Sequence, residues 1–399
     1  MRNQSELNIG TLGHVDHGKT TLTFAITHIW TDVHSESKKR SMSIKLGYAD
    51  AVIRKCGDGE FPYTTKEDCG EGKKGEEVRR ISLLDSPGHE MLMATAIAAS
   101  NIIDCALFVI AANEPCPMPQ TKEHLMVINA IGVKKAIVVQ TKIDLVGKEK
   151  AKEHYGQIKS FLKGSLIEEA PIIPVLPNKE INIDALLEEI MKIPVPERDV
   201  GSDPFMYIAR SFDVNRPGTK IEELKGGVIG GSIVKGKFRV GDEIEIRPGI
   251  EKKEGGSVKY EPIVTKIESM HAGDTELKEA IPGGLIAIGT GLDPYLTKAD
   301  GLVGQVAGLV GKLPEQKNKI EISYSSLKRS DIPEQPFKKD EPIVIGVGTA
   351  SVLGYVRAYK QKILEVECKR PICAYENTKV SIMRNISQRW KLYGYGTIN

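Results

Sequence analysis

The sequence predicts a multidomain fold: an α/β domain built on a doubly wound, mostly parallel sheet, followed by two β-barrels. Apolar strand-like runs and helical stretches alternate from residue 7 to about residue 193. The polar, proline-bearing segment 194–199 then ends that alternation. Beyond it, short β-type runs recur between glycines and prolines, a spacing typical of all-β barrels.

Within the α/β domain, continuous apolar runs are typical of parallel strands that are buried on both faces. We predict strands at 7–12, 81–84, 105–110, 136–140 and 172–175. We predict helices at 21–29, 91–101, 119–131, 148–164 and 183–192. Ligands of such sheets bind at the carboxyl ends of the strands, so that edge is where a site is expected.

Composition sets the class of protein. With 399 residues the chain is long enough for about two or three domains. The net charge of +2 predicts no global attraction to nucleic acid, so any RNA binding must come from local patches. No apolar run approaches the roughly 20 residues of a membrane span, and the N-terminus has no apolar signal core. Six scattered cysteines fit a reducing cytoplasm, where we expect the protein to act.

Residues 13–20 read G-H-V-D-H-G-K-T, which matches the phosphate-binding pattern G-x-x-x-x-G-K-[ST] between a predicted strand and a predicted helix. Amides of the loop and the positive end of the helix dipole form a seat for anions. Lys19 would reach the β- and γ-phosphates, and the Thr20 hydroxyl would bind Mg²⁺. His14 and His17 lie inside the loop and are expected to shape it rather than act in catalysis.

Two further motifs follow predicted strands. Residues 85–90 read D-S-P-G-H-E. Asp85 can hold the Mg²⁺ shell, Gly88 can offer its amide to a γ-phosphate, and His89 is placed to orient an attacking water. Residues 141–144 read T-K-I-D, in which the last carboxylate can accept hydrogen bonds from the N1–H and the N2 amino group of guanine, donors that adenine lacks.

Together these motifs resemble the G motifs of translational GTPases, which share an elongation factor Tu-like fold. Further segments resemble the γ subunit of archaeal and eukaryotic translation initiation factor two, and the likeness covers essentially the whole chain. These segments are 30–32, 43–50, 211–215, 241–249, 292–298 and 394–396.

The resemblance implies a P-loop GTPase domain at 1–198 with a degenerate zinc-knuckle insert at about 55–75, then β-barrels at 199–312 and 313–399. It implies GTP or GDP and Mg²⁺ as ligands. It also implies binding of initiator methionyl-tRNA, assembly with α and β subunits into a heterotrimer, and delivery of the tRNA to the small ribosomal subunit. Intrinsic hydrolysis should be slow, because the sequence shows no arginine finger.

The resemblance also assigns site residues. It implies catalytic roles for Lys19, Asp16 and His89. It implies Mg²⁺ binding by Asp16, Thr20, Ser41, Ser43 and Asp85. The implied nucleotide-binding residues are Val15, Asp16, His17, Gly18, Lys19, Thr20, Thr21, Gly88, Thr141, Lys142, Asp144, Leu176, Pro177 and Asn178.

Tyr48 and Arg210 are candidate tRNA contacts, since a tyrosine ring can stack on a base and an arginine can pair with phosphate. The alternatives are core packing for Tyr48 and a structural ion pair for Arg210. Arg384, Arg389, Trp390 and Lys391 form a modest basic and aromatic cluster, for which an ordinary barrel surface is the alternative.

The chain departs from the family pattern in its guanine motifs. Thr141 stands where the family has Asn, and Leu176-Pro177 stands where it has Ser-Ala. Pro177 has no amide to offer the guanine oxygen. We therefore predict that Asp144 preserves selectivity for guanine while affinity is weaker. In the first switch, Ser41 and Ser43 replace the family's Gly and Thr.

The insert departs further. The family carries two C-x-x-C pairs, but here they read C-G-D-G at 56–59 and C-G-E-G at 69–72. Two thiolates cannot complete a closed tetrahedral site, so we expect no structural zinc. Cys56 and Cys69 are expected to be reduced remnants of the knuckle.

Two other functions remain open at this point. The chain could be an elongation-factor type of GTPase that carries other aminoacyl-tRNAs. It could also be a GTP-binding scaffold that has lost hydrolysis, which the altered Thr141 and Leu176-Pro177 make conceivable.

Overall fold

The structure is a computed structural model that describes residues 3–31, 47–70, 72–86, 102–216, 218–255, 257–327, 329 and 335–399. It divides into two compact units, Met1–Pro196 and Glu197–Asn399. The division falls inside the proline-bearing segment 194–199. Among the described helices, none is long and apolar enough to cross a membrane.

The first unit is built on a seven-stranded sheet with the order β3-β2-β4-β1-β5-β6-β7. All neighbours from β4 to β7 in that order are parallel, whereas β2 and β3 are antiparallel additions at one edge. The strands are β1 Leu7–Gly13, β2 Gly47–Lys55, β3 Tyr63–Thr64, β4 Glu76–Asp85, β5 Cys105–Ala111, β6 Ala136–Thr141 and β7 Ile172–Pro174. The predicted parallel sheet is therefore confirmed.

Helices cover both faces of this sheet. They are α1 Lys19–Thr27, α2 Pro119–Ile131, α3 Lys148–Leu162 and α4 Ile183–Lys192. One buried cluster joins α1 and α4 to the sheet through side chains such as Ile26 and Leu186. The opposite cluster joins α2 and α3 to it through Ile128 and Ile158. Each such burial contributes about 2 kcal/mol, so the two-sided packing holds the sheet in place. The predicted helix 91–101 lies outside the described residues.

The first barrel of the second unit closes through six strands in the order β11-β16-β8-β9-β15-β12, with β12 pairing back to β11. These are β8 Phe205–Phe212, β9 Val228–Lys235, β11 Glu243–Glu254, β12 Ser257–Ala272, β15 Ile286–Thr290 and β16 Val306–Leu309. The shorter elements are β10 Phe238–Arg239, β13 Thr275–Glu276, β14 Glu279–Ala280 and α5 Pro294–Thr297. Inward apolar side chains from all six long strands fill the interior.

The second barrel closes in the order β17-β20-β19-β18-β21-β22. Its strands are β17 Gln316–Ser326, β18 Pro342–Val347, β19 Ala350–Lys360, β20 Ile363–Cys373, β21 Lys379–Ile386 and β22 Arg389–Ile398. Arg384 is only 3% exposed. It pairs with Glu341 at 2.6 Å and its guanidinium lies over the rings of Phe337 and Tyr393. It therefore belongs to the barrel interior rather than to a surface cluster.

Candidate nucleotide-binding site

The phosphate-loop motif forms a turn at the carboxyl end of β1. β1 ends at Gly13 and α1 begins at Lys19, so residues 14–18 make the turn. Gly13 has φ of 145°, and a Cβ at that position would collide with the carbonyl oxygen of Val109 on β5. Only glycine fits there, which fixes where the chain leaves the sheet and enters the loop.

Lys19 is held over this turn. Its Nζ donates to the carbonyl oxygen of His14 at 2.7 Å, and the residue is 7% exposed. Burial lowers the pKa of Lys19 to about 8, and the nearby carboxylates of Asp85 and Asp16 oppose that shift. An anion seated in the loop would add to that opposition and favour the charged lysine.

Asp85, at the end of β4, is the best-anchored carboxylate of the site. It is 2% exposed and accepts hydrogen bonds from Thr20 at 2.7 Å, Thr31 at 2.9 Å and Thr11 at 3.0 Å. Burial raises the pKa of Asp85, while these hydroxyls and Lys19 oppose the shift. The structure thus brings together the predicted pair Thr20 and Asp85. Sequence reasoning missed Thr11 and Thr31, although Thr11 is the direct neighbour of Asp85 in the β1–β4 ladder.

His17 ties the loop to its surroundings. One ring nitrogen lies 3.2 Å from the carbonyl oxygen of Val109 and the other 3.3 Å from the carboxylate of Glu114. Burial lowers the pKa of His17 to about 4. The Thr141 hydroxyl donates to the His17 carbonyl oxygen at 2.6 Å. This last contact joins the third motif to the phosphate loop, and the role of Thr141 as a brace was not visible in the sequence.

The third motif leaves the sheet at the end of β6. Lys142 has φ of 55°, and a 3₁₀ turn follows at Ile143–Leu145. Asp144 lies on that turn and is exposed to solvent. Its carboxylate is therefore open to a ligand, in contrast to Asp85.

The segment from Leu176 to Asn178 lies at the next strand end, because β7 pairs with β6. Leu176 exchanges two backbone hydrogen bonds with Ile181, at 3.1 and 3.2 Å, and a 3₁₀ turn forms at Pro177–Lys179. Leu176 and Pro177 are buried while Asn178 is exposed. α1 packs against this turn, so the end of β7 and the phosphate loop share a neighbour.

The positions of four predicted site residues stay predictions. Ser41, Ser43, Gly88 and His89 lie outside the described part of the chain. Val15 and Asp16 lie within the loop turn, and Thr21 is in the first turn of α1, as expected from the motif. The described ranges hold no cluster of three or more histidine, cysteine, aspartate or glutamate side chains that could hold a metal ion.

The insert contradicts one prediction. Cys56 and Cys69 are joined in a disulfide with Cα atoms 5.6 Å apart, so the expectation of two reduced thiols is wrong. The physical reason is a backbone turn: Cys69 donates to the Lys73 carbonyl oxygen at 2.8 Å and Asp68 bridges to Lys74. That turn folds Cys69 back beside Cys56, which follows the last residue of β2.

The two tRNA candidates lie in different units. Tyr48 is half-buried on β2 opposite Leu84. The Arg210 guanidinium on β8 pairs with Asp300 at 2.9 Å, which is the structural ion pair considered as its alternative.

A phosphate loop at the carboxyl ends of a parallel sheet, followed by two closed barrels, defines the class of translational GTPases. The model of the elongation factor Tu GTP-binding domain matches residues 4–195, and that of elongation factor Tu domain 2 matches residues 226–314. The model of the C-terminal part of initiation factor eIF2 gamma matches residues 318–398.

The chain belongs to the family of translation initiation factor 2 subunit gamma. It is 52% identical over 402 residues to the protein of that name from Methanocaldococcus jannaschii, covering 99% of this chain and 98% of the relative. It is 50% identical over 407 residues to that of Methanothermobacter thermautotrophicus, covering 100% of both. The chain is therefore a GTP-binding initiation factor subunit of the translational GTPase class.

Solved structures at lower identity share the fold. A bacterial selenocysteine-specific elongation factor is 24% identical with a TM-score of 0.76, over 98% of this chain and 58% of that one. The elongation factor SelB of Methanococcus maripaludis, bound to the GTP analogue GppNHp, is 22% identical with a TM-score of 0.74, over 100% of this chain and 80% of that one.

Proposed function

We propose that this chain binds initiator methionyl-tRNA in its GTP state, delivers it to the small ribosomal subunit, and releases it after GTP hydrolysis. The observation that carries the proposal is the constellation of Lys19, Thr20 and Asp85 around one phosphate loop. It occurs in a chain whose relatives are gamma subunits of translation initiation factor 2.

Lys19 would exchange its hydrogen bond to the His14 carbonyl oxygen for the β- and γ-phosphates. Because the lysine is already buried beside the loop, this exchange needs little rearrangement of the backbone. The charged amine then stabilises negative charge on the transferring phosphoryl group.

The donor set fits Mg²⁺. Thr20 supplies a hydroxyl oxygen and Asp85 a carboxylate oxygen, and hard oxygen ligands are what Mg²⁺ prefers. Asp16, Ser41 and Ser43 would complete or close the shell. When bound, the ion would neutralise negative charge on the phosphates. The three hydroxyls on Asp85 fix the orientation of its carboxylate before nucleotide arrives.

At the other end of the nucleotide, Asp144 would accept hydrogen bonds from guanine and the stem of Lys142 would cover the base. Leu176, Pro177 and Asn178 would line the remaining edge. The Gly88 amide would donate a hydrogen bond to the γ-phosphate, and His89 would orient the attacking water. Because the sequence shows no arginine finger, hydrolysis by the chain alone should be slow.

We further propose three domains, at 1–198, 199–312 and 313–399, with the family matches at 4–195, 226–314 and 318–398 in support. Tyr48 remains a candidate tRNA contact, and Arg210 a weaker one because Asp300 already pairs with it. The other proposed partners are the α and β subunits of the same factor, and the proposed compartment is the cytoplasm.

Filter binding of labelled initiator methionyl-tRNA to the full chain tests the proposal. Retention should be about tenfold stronger with GppNHp than with GDP, within the usual range of coupling between two sites. Elongator methionyl-tRNA is the matched control and should bind more weakly. Equal retention with both nucleotides would overturn the proposal, and equal binding of both tRNAs would favour an elongation-factor type of carrier.

A further inference from the structure

Residues 56–69 of the insert form a closed loop. The Cys56–Cys69 disulfide spans it, and the Cys56 amide donates to the Pro62 carbonyl oxygen at 2.7 Å. A Cβ on Gly75 would lie 2.7 Å from the Cys69 sulfur and 3.2 Å from the Cys56 sulfur. Glycine thus stands where any side chain would press on the disulfide. Cβ atoms at Gly59 and Gly72, where the family has its other cysteines, would have no neighbour within 4 Å.

The middle of the insert contacts the segment proposed to bind the guanine base. Lys66 pairs with Glu180 at 2.5 Å, and this pairing lowers the pKa of Glu180. Glu180 directly follows the 3₁₀ turn Pro177–Lys179. The Thr65 hydroxyl lies 3.3 Å from a ring nitrogen of His28, the residue that follows α1 and caps its C-terminus. The insert therefore braces both the turn at the base and the helix that leads from the phosphate loop.

We propose that the Cys56–Cys69 disulfide is a reversible redox site that slows release of guanine nucleotide by holding Lys66 and Thr65 in this brace. The inference rests on the proposed function, because it assigns a regulation to the same nucleotide site. Reduction frees the chain between the two cysteines. The freed segment has more conformations to lose when Lys66 meets Glu180, so the brace weakens.

The chemistry is thiol–disulfide exchange with a low-molecular-weight disulfide as the oxidant. One cysteine thiolate attacks a sulfur of that disulfide, forming a mixed disulfide and releasing one thiolate. The second cysteine thiolate then attacks the protein sulfur, forming the Cys56–Cys69 bond and releasing the second thiolate. Two electrons pass to the small disulfide, and the two protons lost by the cysteines end on its two thiols. Both cysteines are half-buried and therefore reachable.

The expected size of the effect on nucleotide release follows from the solvent exposure of the Lys66–Glu180 pair. Lys66 and Glu180 have side chains 58% and 41% exposed, so their pairing is a surface interaction. Interactions of this kind change an equilibrium or a rate by about two- to fivefold. A brace of this size modulates exchange and does not abolish binding.

The test compares release of mant-GDP from the full chain after equilibration with oxidised or with reduced glutathione. Differential alkylation and mass spectrometry of the peptides with Cys56 and Cys69 verify the redox state. The reduced protein should release mant-GDP about two- to fivefold faster. A C56S/C69S double variant should release it at the reduced rate under both conditions.

Lys66→Ala should at least halve the difference between the two redox states, because it removes the contact with Glu180 and leaves only the contact of Thr65 with His28. Cys116→Ser is the matched control and should keep it, since burial raises the pKa of Cys116 to about 12 and leaves that thiol unreactive. Equal release from verified oxidised and reduced protein, or failure of the disulfide to form, would overturn the redox inference alone. Absence of mant-GDP binding in both states would overturn the proposed function and the inference with it.

Discussion

The two ends of the proposed nucleotide site are built differently. At the phosphate end, Lys19 and Asp85 are buried and already hydrogen-bonded within the protein. At the base end, Asp144 is exposed and Pro177 has no amide to donate. The comparison shows where the site is preorganised. Its phosphate end is fixed before a ligand arrives, so we expect the larger share of affinity there, and a smaller share together with the selectivity at the base end.

The largest effect should come from Lys19→Ala. It removes the buried cation that would meet the phosphates, and hydrogen bonds to charged groups are worth about 3 kcal/mol. We therefore expect GDP affinity to fall by about 150-fold, measured by titration calorimetry. Lys152→Ala, on the exposed face of α3, is the control and should change nothing. A loss of GDP affinity of less than about tenfold would contradict the expectation that the phosphate end supplies most of the affinity.

Asp144→Asn should have the next largest effect. The Asn side chain has an NH₂ group where the carboxylate has its second oxygen acceptor. One hydrogen bond from guanine is therefore lost, and the Asn NH₂ faces an N–H donor of guanine. GDP affinity should fall by about 30-fold, or ~2 kcal/mol. Xanthosine diphosphate, with an oxygen where guanine has an amino group, should bind the variant better than GDP does. Unchanged GDP affinity would place base recognition elsewhere.

The third prediction concerns pH. Burial lowers the pKa of Lys19 to about 8, so the free protein loses this charge as pH rises from 7 to 9. Bound phosphates would keep the lysine charged, so binding takes up a proton and GDP affinity should fall about tenfold over that range. Guanosine, which lacks phosphates, should show no such slope.

The lowered pKa of Lys19 also affects the stability of the free protein, which should rise with pH while GDP affinity falls. From about pH 8 to 10 the unfolded chain holds the lysine proton more firmly than the folded chain, so Lys19 makes the free protein more stable as pH rises. A urea denaturation series checks this, with Lys19→Met as the control that removes the contribution. A pH-independent GDP affinity together with a Lys19→Met variant of unchanged stability profile would refute a buried titrating lysine.

The smallest effect should come from Pro177→Ala. The substitution restores an amide at the turn beside the base, and a new hydrogen bond contributes about 1 kcal/mol. Guanine nucleotide should bind about fivefold tighter, with little change for adenine nucleotide, which has an amino group where guanine has the C6 oxygen. Weaker binding would mean that the rigidity of the proline ring matters more than the missing donor.

Much of the fold could be predicted from periodicity. The continuous apolar runs at 105–110 and 136–140 are buried parallel strands, and helices 119–131 and 183–192 have the predicted bounds. In the barrels, β16 and β22 have patterns too weak to predict a strand, since one reads V-A-G-L and the other begins R-W-K. β2, which lies between the two-residue edge strand β3 and β4 and has one side half-exposed, lacked a continuous apolar run.

The site was predictable only where one motif contains the whole signal. Spacing alone placed Lys19 and Thr20, and strand position placed Asp85. The hydroxyls of Thr11 and Thr31 were missed because their partner, Asp85, is distant in sequence. An isolated threonine also belongs to no motif that would single it out. The Cys56–Cys69 bond was missed because it depends on a turn that the glycine-rich sequence allows but does not specify.

The hydrogen bond from Thr141 to the His17 carbonyl oxygen has a consequence for how the ligand departs. It joins the end of β6, which leads to the proposed base contacts, to the loop proposed to hold the phosphates, so loosening of either part should weaken the hold of the other. A departing nucleotide should accordingly let go in one concerted event instead of peeling away from one end.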